Sequence, residues 1–292
     1  MSVLQDTTTP VPIPVEIGGV RAGPPRSRVL RRDAWWFWPA VQAFGLLCFI
    51  GYGVWTAFRG DFYYATVAAH AANGNAGRHY LSPFYSPCFV SSCPTAAVWG
   101  PAGGIGTVSP ALLILIFPMG FRVTCYYYRK TYYRAFWASP PACAVADAGS
   151  TTPGGIRSRY TGETRFPLVL QNVHRYFWYV AVIFAGILTW DAIESFRFGT
   201  GWGMGLGSLI FVVNAVLIWA YTAGCHACRH LCGGGLRKFS DHPVRHAIWQ
   251  RIVTPLNTRH QLFAWLSLIW IAWTDLYVYL VSTGNLHDPR FF

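Results

Sequence analysis

Charged residues are scarce in this sequence. Of its 292 residues only 12% are Asp, Glu, Lys or Arg, whereas 53% are hydrophobic and 17% are aromatic. A soluble domain carries about a quarter charged residues, so there are too few charges here for most of the surface to face water. This scarcity excludes an ordinary soluble globular protein and favours one that lies within a membrane.

Uninterrupted apolar segments are, in contrast, abundant. About twenty apolar residues in a helix cross a hydrocarbon core of ~30 Å, and five segments approach this length. We therefore predict an all-α integral membrane bundle of five transmembrane helices. The predicted helices are residues 35–58, 108–128, 168–195, 203–226 and 260–282, which form an anchor domain at 35–284 after an N-terminal arm at 1–34, with an outer loop at 59–107.

The sequence is also poor in acidic residues, with 11 Asp and Glu against 23 Lys and Arg. The basic residues concentrate in the arm, after the second predicted helix and after the fourth, and few lie in the alternate segments. Basic loops stay in the cytoplasm, so we predict a cytoplasmic N-terminus and a C-terminus outside. Because these residues flank the spans, the positive charge indicates orientation and not nucleic-acid binding.

Cysteine and histidine concentrate at the predicted cytoplasmic end. If the fourth helix continues through residue 232, Cys225, Cys228 and Cys232 share one face. Other predicted helices bring further candidates to the same side. The candidate metal ligands are Cys125, His174, Cys225, His226, Cys228, His230 and Cys232. His260 opens the fifth helix there but ranks last and is left out of this set; which four residues bind stays open.

The mixture of cysteine and histidine restricts the kind of metal centre. A structural zinc site needs four protein ligands and no open coordination position. Haem b needs two histidines that face each other across the bundle. No histidine lies at mid-depth of a predicted helix, which disfavours two stacked haems. A Rieske-type [2Fe–2S] cluster takes two cysteines on one iron and two histidines on the other, so we favour it, with haem b as the alternative. The paired loops of soluble Rieske domains are absent from the sequence.

Aromatic and basic residues beside these candidates suggest a quinone site. A quinone needs a flat apolar slot with side-chain donors for its carbonyl oxygens. We predict that Tyr126, His174, Arg175 and Trp178 supply it. Aromatic residues also form belts at membrane interfaces, and for individual residues both interpretations stay open.

Several motifs carry a resemblance to a known family. The segments at 124–134, 139–143, 162–167, 171–176 and 225–232 resemble the single-chain, cytochrome b-like membrane anchor of actinobacterial-type succinate dehydrogenase, respiratory complex II. The resemblance covers about residues 35–279. It implies a multi-pass subunit of the bacterial inner (plasma) membrane, surrounded by lipid and without dicarboxylate chemistry of its own.

The resemblance also implies partners and a function. The partners would be a flavoprotein subunit with FAD and an iron–sulfur subunit with further Fe–S clusters, and the substrate menaquinone or ubiquinone. We expect the chain to relay electrons from the iron–sulfur subunit through the Cys/His centre to the quinone. The alternatives are a b-type haem anchor of another respiratory dehydrogenase and a transporter, although no internal repeat typical of transporters is visible. The direction of turnover and the oligomeric state, including a homo-oligomer of the complex, stay open.

Overall fold

The computed structural model describes residues 33–59, 62–65, 77–86, 110–138, 141–142, 145, 169–199, 201–234 and 238–292. Nearly all of the predicted arm and much of the predicted outer loop lie outside these residues. The described residues are mainly helical. The helices are α1 Phe37–Arg59, α2 Pro110–Thr124, α3 Tyr126–Ala135, α4 Leu170–Glu194, α5 Leu206–Ala223, α6 His226–Gly233, α7 Pro243–Ile248, α8 Thr254–Thr258 and α9 His260–Ser282. Two short strands, β1 Arg197–Phe198 and β2 Gly201–Trp202, pair antiparallel.

Four of the described helices are long and apolar enough to cross a membrane. They are α1, α4 from Gln171 onward, α5 and α9. Apolar helices of this length hold all their backbone hydrogen bonds internally, as the hydrocarbon core requires. The prediction of a mostly helical membrane protein is confirmed by these four helices. Helix α1 fully buries only Thr56 and Ala57. Its Leu46, Phe49 and Tyr52 are partly buried against the core, and many of its other side chains are exposed.

Two of the predicted helices, 108–128 and 203–226, are each interrupted at a cysteine in the structure. The segment predicted as one helix at 108–128 is interrupted at Cys125, whose extended backbone (φ −65°, ψ 136°) separates α2 from α3. The helix predicted at 203–226 ends at Ala223, and Cys225 (φ −65°, ψ 145°) separates α5 from α6. Cys225, Cys228 and Cys232 therefore do not lie on one continuous helix. At 1.5 Å per residue, α2 is ~22 Å long.

The helices pack around α4, α5 and α9. Helix α4 contacts both α2 and α5, α5 contacts α9, and α1 contacts α3 and α9. Gly120 allows the close approach of α2 to α4, because a β-carbon there would overlap the Phe177 ring. A core cluster that includes Phe121, Tyr128 and Tyr221 then fills the end of the bundle at the two helix interruptions.

Two buried carboxylates hold the opposite end of the bundle together. Asp275 of α9 accepts hydrogen bonds from Tyr52 and Ser82, and from Thr56 at 3.1 Å, and pairs with Arg59 at 3.3 Å. These partners come from α1 and from the segment at 77–86. A charge without solvent is retained only with such partners, so Asp275 fixes α1 and that segment against α9.

Asp288, the second buried carboxylate, fixes the start of α5 against its neighbours. Its carboxylate pairs with Arg78 at 3.1 Å and accepts from Tyr80 at 2.9 Å, Tyr277 at 2.6 Å and the backbone N–H of Gly207 at 2.8 Å. The last contact supplies an acceptor to an otherwise unpaired N–H in the first turn of α5. Asp288 thus joins α5, α9 and the segment at 77–86.

Candidate functional site

The two helix interruptions place two cysteines in equivalent positions. Cys125 precedes α3 and Cys225 precedes α6, with nearly equal backbone angles. Both are buried, with 2% and 1% of their surface exposed. The Cys225 sulfur accepts the backbone N–H of Ala227 at 3.4 Å. Backbone N–H groups in the first turn of a helix favour a negative charge on such a sulfur, but for Cys225 the effect of burial is larger and raises the thiol pKa.

Each of these cysteines contacts one histidine. His174 Nε2 of α4 lies 3.1 Å from Cys225 Sγ, and His260 Nε2 of α9 lies 3.7 Å from Cys125 Sγ. The sequence prediction included Cys125, His174 and Cys225 but left out His260. Two signals could have included it: it opens the last apolar helix, and it lies at the same end of the bundle as the cysteines.

Hydrogen bonds fix the orientation of His174. Thr124 Oγ1 donates to the carbonyl of Gly120 at 2.7 Å and lies 2.8 Å from His174 Nδ1. Since that hydroxyl proton is used on the carbonyl, the hydroxyl oxygen accepts from His174 Nδ1–H. The Nε2 lone pair then faces Cys225. A histidine held in this way by its second nitrogen is the usual arrangement of a metal ligand.

Aromatic rings position both imidazoles. The His174 ring stacks on Phe121 at 4.9 Å and 8°, and the His260 ring stacks on Tyr221 at 4.8 Å and 9°. Tyr127 contacts His260 at 5.5 Å, and Phe121 contacts Tyr221 at 5.2 Å. Within the described part of the chain, His260 Nδ1 is buried without a hydrogen-bond partner. One ring nitrogen of this buried histidine is thus left with an unused bonding site.

The other four predicted ligands lie on α6, which begins directly after Cys225. His226 and His230 are exposed and contact each other edge to face at 4.7 Å. Cys228 and Cys232 are half-buried. Burial raises the pKa of Cys228 to about 12, and the nearby Cys232 adds to the shift. Helix α6 presents these side chains in two pairs, one exposed and one partly covered.

The predicted quinone ligands occupy different environments. The Tyr126 ring is exposed and contacts Tyr127 at 5.4 Å. Arg175 is exposed and lies over the Tyr176 ring. Trp178 is buried, and its indole N–H donates to the carbonyl of Thr222 at 2.9 Å. That donor is therefore already used to join α4 to α5.

The donor set can be compared with the cofactor that the sequence predicts. The described residues contain no group of three or more His, Cys, Asp or Glu that could hold a metal ion. They do contain the two Cys–His pairs, and a [2Fe–2S] cluster of Rieske type takes two cysteines and two histidines over its two irons. Burial raises the pKa of the Cys225 thiol to about 12, with Cys125 nearby adding to the shift. Binding of a metal would therefore displace a proton from this sulfur. In number and type the four side chains, together with the unpartnered His260 nitrogen, fit that cofactor.

Comparison with known proteins identifies the family. Residues 37–284 match the family model of the actinobacterial succinate dehydrogenase subunit SdhC. The chain belongs to this family. It is similar to a chain of the Mycobacterium smegmatis Sdh1 complex in the apo form, with 45% sequence identity, a TM-score of 0.75, and coverage of 92% of this chain and 95% of that one. No curated protein sequence matches the chain.

Family membership confirms several predictions. The chain is a subunit of succinate dehydrogenase, an oxidoreductase. The flavoprotein and iron–sulfur subunits of that enzyme, and quinone, are its partners. With four helices suited to crossing a membrane, this SdhC-family subunit is a membrane anchor of the bacterial plasma membrane.

Proposed function

We propose that this SdhC-family subunit passes electrons from the iron–sulfur subunit to a quinone through a redox centre held by Cys125, His174, Cys225 and His260. The observation that carries the proposal is the convergence at one end of the bundle of two Cys–His pairs, in which both cysteines and His260 are buried and His174 is half-buried. The four side chains come from the two helix interruptions and from the starts of α4 and α9. Separate helices have to pack correctly before they meet, as in a centre built within a bundle.

The type of centre that we propose is a Rieske-type [2Fe–2S] cluster. When bound, it would take up and give back one electron at a time, at a potential raised by its histidine ligands. In this proposal Cys125 and Cys225 supply the thiolates, and His174 and His260 supply neutral imidazoles. Thr124 holds His174 in the required tautomer. A bis-histidine haem fits less well, because the Nε2 atom of each imidazole lies next to a cysteine sulfur.

We further propose that α2 is a fifth, short membrane crossing and that the site lies on the cytoplasmic side. Basic residues surround the two helix interruptions on α3, α6 and the segment from α7 to α9. They include Lys130, Arg134, Arg229, Arg245, Arg251 and Arg259. Their position supports a cytoplasmic N-terminal arm at 1–34, an outer loop at 59–107 and an outer C-terminus. The iron–sulfur subunit would then meet the anchor beside the redox centre.

The quinone would bind on the same side. Tyr126 is exposed and is linked by ring contacts through Tyr127 to His260. Arg175 is exposed and offers a donor for a quinone carbonyl, whereas Trp178 contributes an apolar face because its N–H is already used. The same chemistry accommodates menaquinone and ubiquinone.

A split between two activities tests the proposal. The intact complex carrying Cys225→Ala or His260→Ala should lose at least about tenfold of its succinate:quinone activity, because each one-electron step through the anchor is broken. Succinate oxidation with a water-soluble artificial acceptor should persist. Cys48→Ala is the control, since Cys48 is an exposed thiol on α1. Full quinone activity in both Cys225→Ala and His260→Ala would refute the proposed centre.

A double substitution on α6 distinguishes the competing set of ligands. The proposal predicts that Cys228→Ala combined with Cys232→Ala leaves quinone reduction within about twofold of the unaltered complex. Loss of activity in this variant, with retention in Cys225→Ala, would move the centre onto α6.

A further inference from the structure

We infer that Arg122 sets the reduction potential of the redox centre by holding an uncompensated positive charge beside it. This inference rests on the proposed function, since it needs a redox centre at Cys125 and His260. Arg122 lies in the last turn of α2, and its carbonyl accepts the backbone N–H of Cys125 at 3.1 Å. Arg122 is not among the candidate ligands, and it has no part in the quinone site described above.

The guanidinium is held by neutral groups on two helices. It donates to Tyr128 Oη of α3 at 2.7 Å, and on α9 to the Ala264 carbonyl at 3.1 Å and Ser267 Oγ at 3.1 Å. It also lies over the Tyr221 ring, 4.8 Å from its centroid. These contacts leave the charge little freedom to move when the electron arrives. A fixed charge of this kind needs no reorganisation during the reaction.

The half-buried Arg122 differs from Arg59 and Arg78 in the partners of its charge. Arg59 pairs with Asp275 and Arg78 pairs with Asp288. Among the described residues no carboxylate lies within ion-pair distance of Arg122. A half-buried charge without a counter-ion is costly within a membrane protein, and such ionisable residues are retained where function requires them.

The position of Arg122 couples its charge to the centre. Its guanidinium lies over the rings of Tyr128 and Tyr221. The Tyr221 ring in turn stacks in parallel on the His260 imidazole. A centre held by these residues would gain one electron from the iron–sulfur subunit and give one to the quinone in each cycle, with no proton bound at Arg122. The added electron is stabilised by a nearby cation in a medium of low dielectric constant. Arg122 should thus raise the reduction potential and favour electron entry from the iron–sulfur subunit.

A redox titration of the purified complex, followed by EPR, tests this inference. In Arg122→Met the ratio of oxidised to reduced centre at a given potential should rise at least about tenfold, which for a one-electron couple is about 59 mV. Arg122→Lys keeps the charge and should titrate closer to the unaltered complex. Arg251→Met removes an exposed cation at the same end of the bundle. It should change the ratio of oxidised to reduced centre less than about twofold, because water and salt screen the Arg251 charge.

A second pair of variants keeps Arg122 in place. Ser267→Asp puts a carboxylate next to the guanidinium and should lower the potential in the same direction as Arg122→Met, whereas Ser267→Asn should not. A midpoint potential that is unchanged in both Arg122→Met and Ser267→Asp overturns the inference. If the unaltered complex shows no redox centre belonging to the anchor, it is the proposed function that fails, and the two failures are thus distinguishable.

Discussion

Replacing Asp288 with asparagine should strongly destabilise the end of the bundle away from the redox site. The Asp288 carboxylate is fully buried and receives Arg78 and Tyr80 on one oxygen, and Tyr277 and the Gly207 N–H on the other. An asparagine can keep only one of these oxygens as an acceptor, and the Arg78 charge loses its counter-ion. Removing one partner of a buried ion pair costs about 3–5 kcal/mol.

The assay is unfolding of the complex in mixed micelles by a chemical denaturant, with the variant compared to the unaltered protein. Arg78→Met combined with Asp288→Asn removes both charges and should recover about 1–3 kcal/mol relative to the sum of the single changes. Arg197→Met is the control, because its pair with Glu194 is exposed and should contribute at most about 1 kcal/mol. A loss below about 1 kcal/mol in Asp288→Asn would refute the structural role of this carboxylate.

Two further predictions concern the site and the packing beside it. Thr124→Val leaves His174 Nδ1–H without its acceptor and should cost about 1–3 kcal/mol of stability, measured by thermal unfolding, with Thr124→Ser restoring it; equal stability of the valine and serine variants would contradict the assigned tautomer. Gly120→Ala pushes a methyl group into the Phe177 ring and should lower stability by about 1–3 kcal/mol. Gly186→Ala meets open space on α4 and should not destabilise, so a similar loss in both alanine variants would count against close α2–α4 packing.

Much of the helical framework is readable from the sequence because apolar length depends only on local composition. The last predicted helix, 260–282, has the bounds of α9, and the predicted helix at 168–195 differs from α4 by two residues at its start and one at its end. Apolar length does not predict a helix end where the apolar residues continue across a change of backbone direction. Cys125 and Cys225 stand in such places, and each marks a helix interruption that hydropathy does not register.

The site is only partly readable because its members come from distant parts of the chain. The density of cysteine and histidine at 225–232 draws attention to α6, although in this segment it is Cys225 whose sulfur lies next to the His174 imidazole of α4. His260 is a single histidine without a local motif, and its proximity to Cys125 depends on how α9 packs against α3. The role inferred for Arg122 depends in the same way on packing, since its neutral partners lie mostly on α9.

The most direct measurement is the EPR spectrum and iron content of the reduced complex, purified with all its subunits, with and without Cys225→Ala. The account predicts a signal typical of a histidine-ligated [2Fe–2S] centre in the unaltered complex. In Cys225→Ala that signal should be absent and the iron content lower by about two atoms per anchor chain, while the signals of the iron–sulfur subunit persist. An unaltered complex without this signal, or a variant that keeps both the signal and the iron, would contradict a redox centre held by Cys125, His174, Cys225 and His260.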